Sequence, residues 1–202
     1  MTTRAAIAIA LGVVLLFSVV TLALFFAMGG PFGALNDWSI GAAGVLAAAL
    51  VLSMRAGGLG GPSAGRVVGS ALAVIGGVLV VVGAWLVISE RTGFLLAGLV
   101  ESFGFALFGI WLTSLNWAMA TSGRWSRRVA RLGLATGVLL TIGLIVAPGI
   151  VMGLDDMETA QWWVWVGFVS WLGIFVLLPI WAISFGAILR RASGPVDAIQ
   201  PG

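Results

Sequence analysis

Glu101 has the strongest claim to chemistry in this sequence. It stands about seven residues into the apolar run that opens at Phe94, which is about 10 Å along a helix rising 1.5 Å per residue. In hydrocarbon, an ionised carboxylate at that depth costs several kcal/mol unless it is paired, hydrated or protonated. At 100° per residue, Glu101, Ser102, Gly109, Thr113 and Asn116 share an arc of about 120°, while Phe103, Leu107, Ile110 and Trp117 point away. That pattern predicts a stripe of polar and small residues turned toward other helices. Glu101, Ser102, Thr113 and Asn116 are therefore the candidate intramembrane polar site.

A carboxylate placed there has two readings. It responds to a proton or cation in a cavity, or it fastens its helix to a hydroxyl at similar depth, such as that of Thr21, Ser89 or Ser170. For Asn116, at the other end of the run, packing near the lipid headgroups is the simpler expectation.

Other polar clusters read as structural. Asn36-Asp37-Trp38 is expected to open a helix, with a polar cap and an interfacial indole. Asp155, Asp156 and Glu158 lack the spacing of a calcium loop, so no metal site is expected. They are expected to form a solvated turn complementing the positive end of the next helix. The glycine-rich segment from Arg55 to Arg66 lacks the Lys and the spacing of a phosphate-cradling loop, and reads as a flexible connection. Arg124, Arg127, Arg128 and Arg131 form a basic, lipid-facing loop suited to anionic headgroups.

The missing residue types exclude more than the motifs include. The chain has no Cys, His, Tyr or Lys, and all ten of its basic residues are Arg. Disulfides, thiolate nucleophiles and iron–sulfur ligation are thereby ruled out within the chain. Schiff-base chemistry on Lys and the Ser–His–Asp, Cys–His and Ser–Lys arrangements are ruled out as well. No catalytic residue and no cofactor are expected. The arginines are scattered between apolar runs, which argues against nucleic-acid binding and for a role in membrane orientation.

The elements that position these residues follow from composition. Of the 202 residues, 61% are hydrophobic and 8% charged, against roughly 25% charged in soluble domains. A chain this size cannot hide so much apolar surface from water, so lipid must cover it. A bilayer core of about 30 Å needs about 20 apolar residues in a helix. Six stretches qualify, over residues 5–28, 38–54, 67–89, 94–120, 129–153 and 162–189. The expected fold class is all-α: one membrane domain over residues 1–202, a polytopic bundle of six transmembrane helices. The first stretch is too long for the apolar region of a cleaved signal peptide, and an uncleaved helix is expected.

Positive charge sets the expected orientation. With both termini in the cytoplasm, nine of the ten arginines lie on or next to the inner side and Arg91 alone lies outside. Five of the seven acids then fall in the outer connections. Trp38, Trp162, Trp163 and Trp165 are expected at the outer headgroup level, and Trp117 and Trp125 at the inner one. The Ala, Gly, Val and Arg bias, with no Lys, points to a high-G+C bacterial genome; the expected location is the cytoplasmic membrane, as a multi-pass protein.

Two helix breakers fall inside spans. Pro148 and Pro179 each remove a backbone donor and are expected to kink the fifth and sixth helices. Gly133 and Gly137, and likewise Gly149 and Gly153, are four apart and are expected to let helices approach within the bundle.

With so few reactive side chains and such short loops, the first functional expectation is a non-catalytic component or regulator of a membrane complex. Its partners would be the lipid bilayer and another membrane protein or a second copy of itself. The alternative is a small permease or solute-binding subunit using Glu101 in a bundle cavity.

Overall fold

The computed structural model describes residues 2–56, 64–123 and 126–192. Arg124 and Trp125, and the centre of the glycine-rich connection between Arg55 and Arg66, lie outside the described residues. Every regular element described is helical: α1 Thr3–Met28, α2 Phe32–Ala56, α3 Ala64–Ile88, α4 Phe94–Ser122, α5 Arg127–Thr141, α6 Ala147–Val151, α7 Trp162–Leu172 and α8 Leu178–Arg191. A 3-10 segment, Ile142–Val146, joins α5 to α6, and a π segment, Gly173–Leu177, joins α7 to α8. These elements amount to six helical lengths, each long and apolar enough to cross a membrane.

Five of the six begin and end within a few residues of the expected bounds. The exception is α2. It starts at Phe32 rather than near Trp38, so Asn36 and Asp37 lie more than a turn inside the helix instead of capping it. The turn before it is compact, because Gly29 and Gly30 both adopt left-handed φ angles (67° and 66°) that Gly reaches without a Cβ penalty. Leu35 N–H then bonds Pro31 C=O at 3.1 Å and carries the helix through the two polar residues.

Both prolines sit where the regular α-helix is interrupted. A proline nitrogen cannot donate to the carbonyl four residues back, so the preceding turn must adapt. Before Pro148 the chain tightens into the 3-10 segment, and before Pro179 it widens into the π segment. Proline falls in the first turn of the helix that resumes, where the missing donor is tolerated.

The spans form a closed ring in chain order. α1 packs on α2, α2 on α3, α3 on α4 and α4 on α5, while α8 returns to α1. α4 also meets α6, α7 and the 3-10 segment, and two-thirds of its apolar window is buried against one-third for α1. It is the hub of the bundle. Interfaces close through glycine: a Cβ at Gly76 would stand 2.3 Å from the Gly104 carbonyl oxygen, so α3 and α4 touch backbone to backbone there.

The main core is built on Leu11, Leu15, Leu50, Phe105, Phe108, Leu112, Trp181 and Phe185, all essentially inaccessible. The Trp181 and Phe185 rings stack 4.9 Å apart at 13°. A smaller cluster of Leu95, Leu99, Val146 and Val164 joins spans four, five and six near the α4 N-terminus. Outward faces carry Val13, Phe17, Val20, Val45, Leu52, Ile75, Val78, Val138, Val176 and Ile180, all exposed. In water such a belt would be strongly unfavourable, whereas hydrocarbon accommodates it without cost. The chain is a multi-pass membrane protein.

Candidate functional site

The four residues of the polar stripe do not meet in one place. Glu101 and Ser102 line a cavity near the α4 N-terminus, together with Leu22 of α1, Asn36 and Ile40 of α2, and Trp171, Ile174 and Phe175 of the sixth span. Asn116 lies fifteen residues further on, about 22 Å along the helix. Phe105, Phe108 and Leu112 fill the space between them.

Asn116 is fully buried rather than set near headgroups. Its Nδ2 donates to Leu112 C=O at 2.8 Å, and its Oδ1 accepts from Trp181 Nε1 at 3.1 Å. Thr113 faces α5, where a Cβ on Gly137 would stand 2.3 Å from its Oγ1. Its hydroxyl bonds Gly109 C=O at 2.9 Å. Both residues serve helix packing, α4 on α8 and α4 on α5.

Ser102 belongs to the cavity wall. Its Oγ accepts from Trp171 Nε1 at 3.0 Å, which ties α4 to the sixth span. Trp171 in turn lies edge-on to Phe94 at 6.3 Å and close to Phe168 and Phe175. The cavity thus has an apolar wall of Trp171 together with Ile174 and Phe175 of the π segment. Single π turns recur at functional sites because the wider turn re-aims side chains.

Glu101 lies across Gly83 of α3, where a Cβ would stand 2.6 Å from Glu101 Cγ. Thr21, Ser89 and Ser170, its expected partners, are engaged elsewhere. Thr21 bonds the carbonyls of Phe17 and Ser18, Ser89 that of Leu86, and Ser170 that of Gly167. Among the described residues, no group hydrogen-bonds the Glu101 carboxylate. The fastening reading therefore lacks a donor.

The neighbours of Glu101 on α2 escaped the sequence reading. Asn36 is buried, with its Oδ1 accepting from Ser18 Oγ at 2.7 Å. Its Nδ2 points to Asp37 Oδ1 at 3.4 Å. The available signal was the length of the apolar run after Pro31. Treating Asp37 as a boundary concealed it.

The lining leaves about 350 Å³ between atoms, continuous with the exterior, and room for roughly one water-sized species. Its polar atoms are mainly oxygens, and no basic side chain lines it. Chemically it suits a small, positively charged occupant.

The acidic turn between spans five and six is placed differently from expectation. Asp155 accepts from the backbone N–H groups of Gly93 and Leu96, the latter at 3.0 Å, and so caps α4 rather than the sixth helix. Asp156 Oδ1 caps its own short turn by accepting from Glu158 N–H at 2.9 Å. Among the described residues no group of three or more metal-ligating side chains occurs.

The remaining features fall at the bundle surface or its interfaces. Arg127, Arg128 and Arg131 are exposed at the start of α5. Trp38, Trp117, Trp162 and Trp165 are exposed near helix ends, and Arg91 lies 4.6 Å from the Trp85 ring centroid. Gly133 and Gly137 both face α4, as a packing pair should. Gly153 instead ends its span with φ 64° and nothing against it.

Comparison with protein-family models, with curated proteins and with solved structures returns no match. The functional reading therefore rests on the geometry of the cavity.

Proposed function

We propose that this protein is a small permease of the bacterial cytoplasmic membrane, with Glu101 as the group that takes up a small, positively charged species. One observation carries the reading: an intramembrane carboxylate opens onto a cavity and receives no hydrogen bond from the described residues. A carboxylate kept for structure would be bonded to the helix it fastens, because an unmet polar group in hydrocarbon costs several kcal/mol. The π segment on the opposite wall supports the same reading, since it offers a backbone that can change turn without breaking the span.

In this proposal both termini face the cytoplasm. Support comes from seven arginines of the described residues, Arg4, Arg55, Arg127, Arg128, Arg131, Arg190 and Arg191, which gather at one end of the bundle, while Glu90, Asp155, Asp156 and Glu158 occupy the other with Arg91. The cavity then opens toward the outer side.

The test is ion flux in vesicles reconstituted with the full chain. Glu101→Gln, which keeps shape and removes the ionisable oxygen, is expected to cut flux at least tenfold while the protein still inserts and folds. Unchanged flux would remove Glu101 from the mechanism.

A second reading, a non-catalytic component of a membrane complex, is favoured by the shortness of the turns at the acidic end, which among the described residues form no domain there. It predicts a stable membrane partner, or a second copy of the chain, on purification in mild detergent.

A further inference from the structure

The cavity sets one acid, Glu101, among the aromatic rings of Phe94, Phe105, Trp171 and Phe175. The Trp171 ring is fixed in the wall, because its Nε1 donates to Ser102 Oγ at 3.0 Å. Phe94 and Phe175 both lie edge-on to it, with ring centroids 6.3 and 5.8 Å away. No basic side chain lines the space, so no cation of the described residues neutralises the Glu101 carboxylate.

Metal ions demand more oxygen than this lining has to give. Calcium takes about 6–8 oxygen ligands, and magnesium a near-octahedral set. Here Ser102 Oγ already accepts from Trp171, and Asn36 Oδ1 from Ser18, so the two Glu101 oxygens are the main acceptors left. Aromatic rings attract a cation through their quadrupole and need no lone pair to do it. Leu22 and Ile40, which complete the wall, suit an alkyl chain rather than a hydration shell. The space admits roughly one water-sized species, which fits an ammonium head and excludes one carrying several methyl groups.

We propose that the cavity binds a primary alkylammonium ion, with its head against Glu101 and its short alkyl chain among the aromatic rings. This deepens the permease reading and rests on Glu101 being its uptake group. The head donates an N–H to the Glu101 carboxylate, and Ser102 Oγ keeps one lone pair for a second. The occupied site is neutral, which removes the cost of an unpaired carboxylate in hydrocarbon. Phe175 acts in selectivity: its ring attracts an organic cation that has little water to shed, whereas a metal ion would have to leave its shell for a wall poor in oxygen.

Calorimetric titration of the full chain in lipid nanodiscs, with ethylammonium, sodium and tetramethylammonium chlorides as probes, reads binding without requiring transport. Ethylammonium is expected to bind about tenfold more tightly than either of the others. Glu101→Gln should weaken it roughly thirtyfold or more, as loss of a buried charge partner does. Phe175→Leu, which keeps an apolar side chain and removes the ring, should weaken it about fivefold. Ethylammonium that does not bind, or that binds no better than sodium or tetramethylammonium, overturns the proposal. So does ethylammonium binding unaltered in Glu101→Gln or in Phe175→Leu. The three salts are compared on the unaltered chain, so that result decides even where a variant fails to fold. Ethylammonium binding without flux in reconstituted vesicles would overturn the permease reading and leave the site standing. Sodium flux that needs Glu101, without ethylammonium binding, would do the reverse.

Discussion

Trp181 Nε1 donates to Asn116 Oδ1 at 3.1 Å across the α4–α8 interface, and neither side chain has access to solvent. The bond crosses the bundle at the end opposite the cavity, and Asn116 is further held by Leu112 C=O. An amide that leaves water for a helix bundle must find such partners, and here it finds them on two elements.

Removing either partner strands the other. Asn116→Ala and Trp181→Phe are each expected to destabilise the bundle by about 1–2 kcal/mol, with a coupling between them of roughly 0.6–1.7 kcal/mol in a double-mutant cycle. Reversible unfolding in detergent or bicelles measures it. Additive effects would mean that the bond contributes nothing beyond packing.

Gly133 is expected to tolerate no larger residue, because a Cβ there would stand 2.2 Å from Asn116 Cγ. Gly133→Ala should cost about 1–3 kcal/mol through overpacking, and Asn116→Ala in the same chain should recover part of that loss. Thermal unfolding of the two single variants and the double variant checks the sign.

Asp155 holds the first turn of α4 from 59 residues away in the chain. Asp155→Ala is expected to weaken that turn by about 1 kcal/mol, as loss of a helix cap does elsewhere. Amide hydrogen exchange at Gly93 and Leu96 should accelerate roughly fivefold, with exchange in the α8 core unchanged. Phe94 and the cavity rim lie on this turn, so ion flux is expected to change with it. Identical exchange would show that the cap is idle.

Because the chain has no Cys, single cysteines report its threading without background. Gly123→Cys should react with an impermeant maleimide only after the membrane of intact cells is opened, whereas Met157→Cys should react directly. The reverse pattern would invert the orientation and place the cavity mouth on the cytoplasmic side.

The number of spans and the helical class were legible in the sequence because each depends on a local run of apolar residues long enough for hydrocarbon. The start of α2 was not legible, since one acid and one amide looked like the edge of a span. Asn36 is tolerated inside the helix because Ser18 bonds its carbonyl and the cavity borders it, and Asp37 because it is partly exposed and faces the Asn36 amide.

The sequence alone determined that the chain needs lipid as its solvent, how many helices span it, and that Glu101 is an isolated charge within one of them. Only the tertiary structure decided which residues meet. In a membrane bundle nearly every helix face is apolar, so hydrophobicity does not say which faces pair. The choice falls to close approaches at residues such as Gly76, Gly83 and Gly133, and these are contacts between distant parts of the chain. For that reason the stripe on α4, continuous on a helical wheel, is divided in space: Asn116 locks the bundle at one end, and at the other Glu101 lines the cavity.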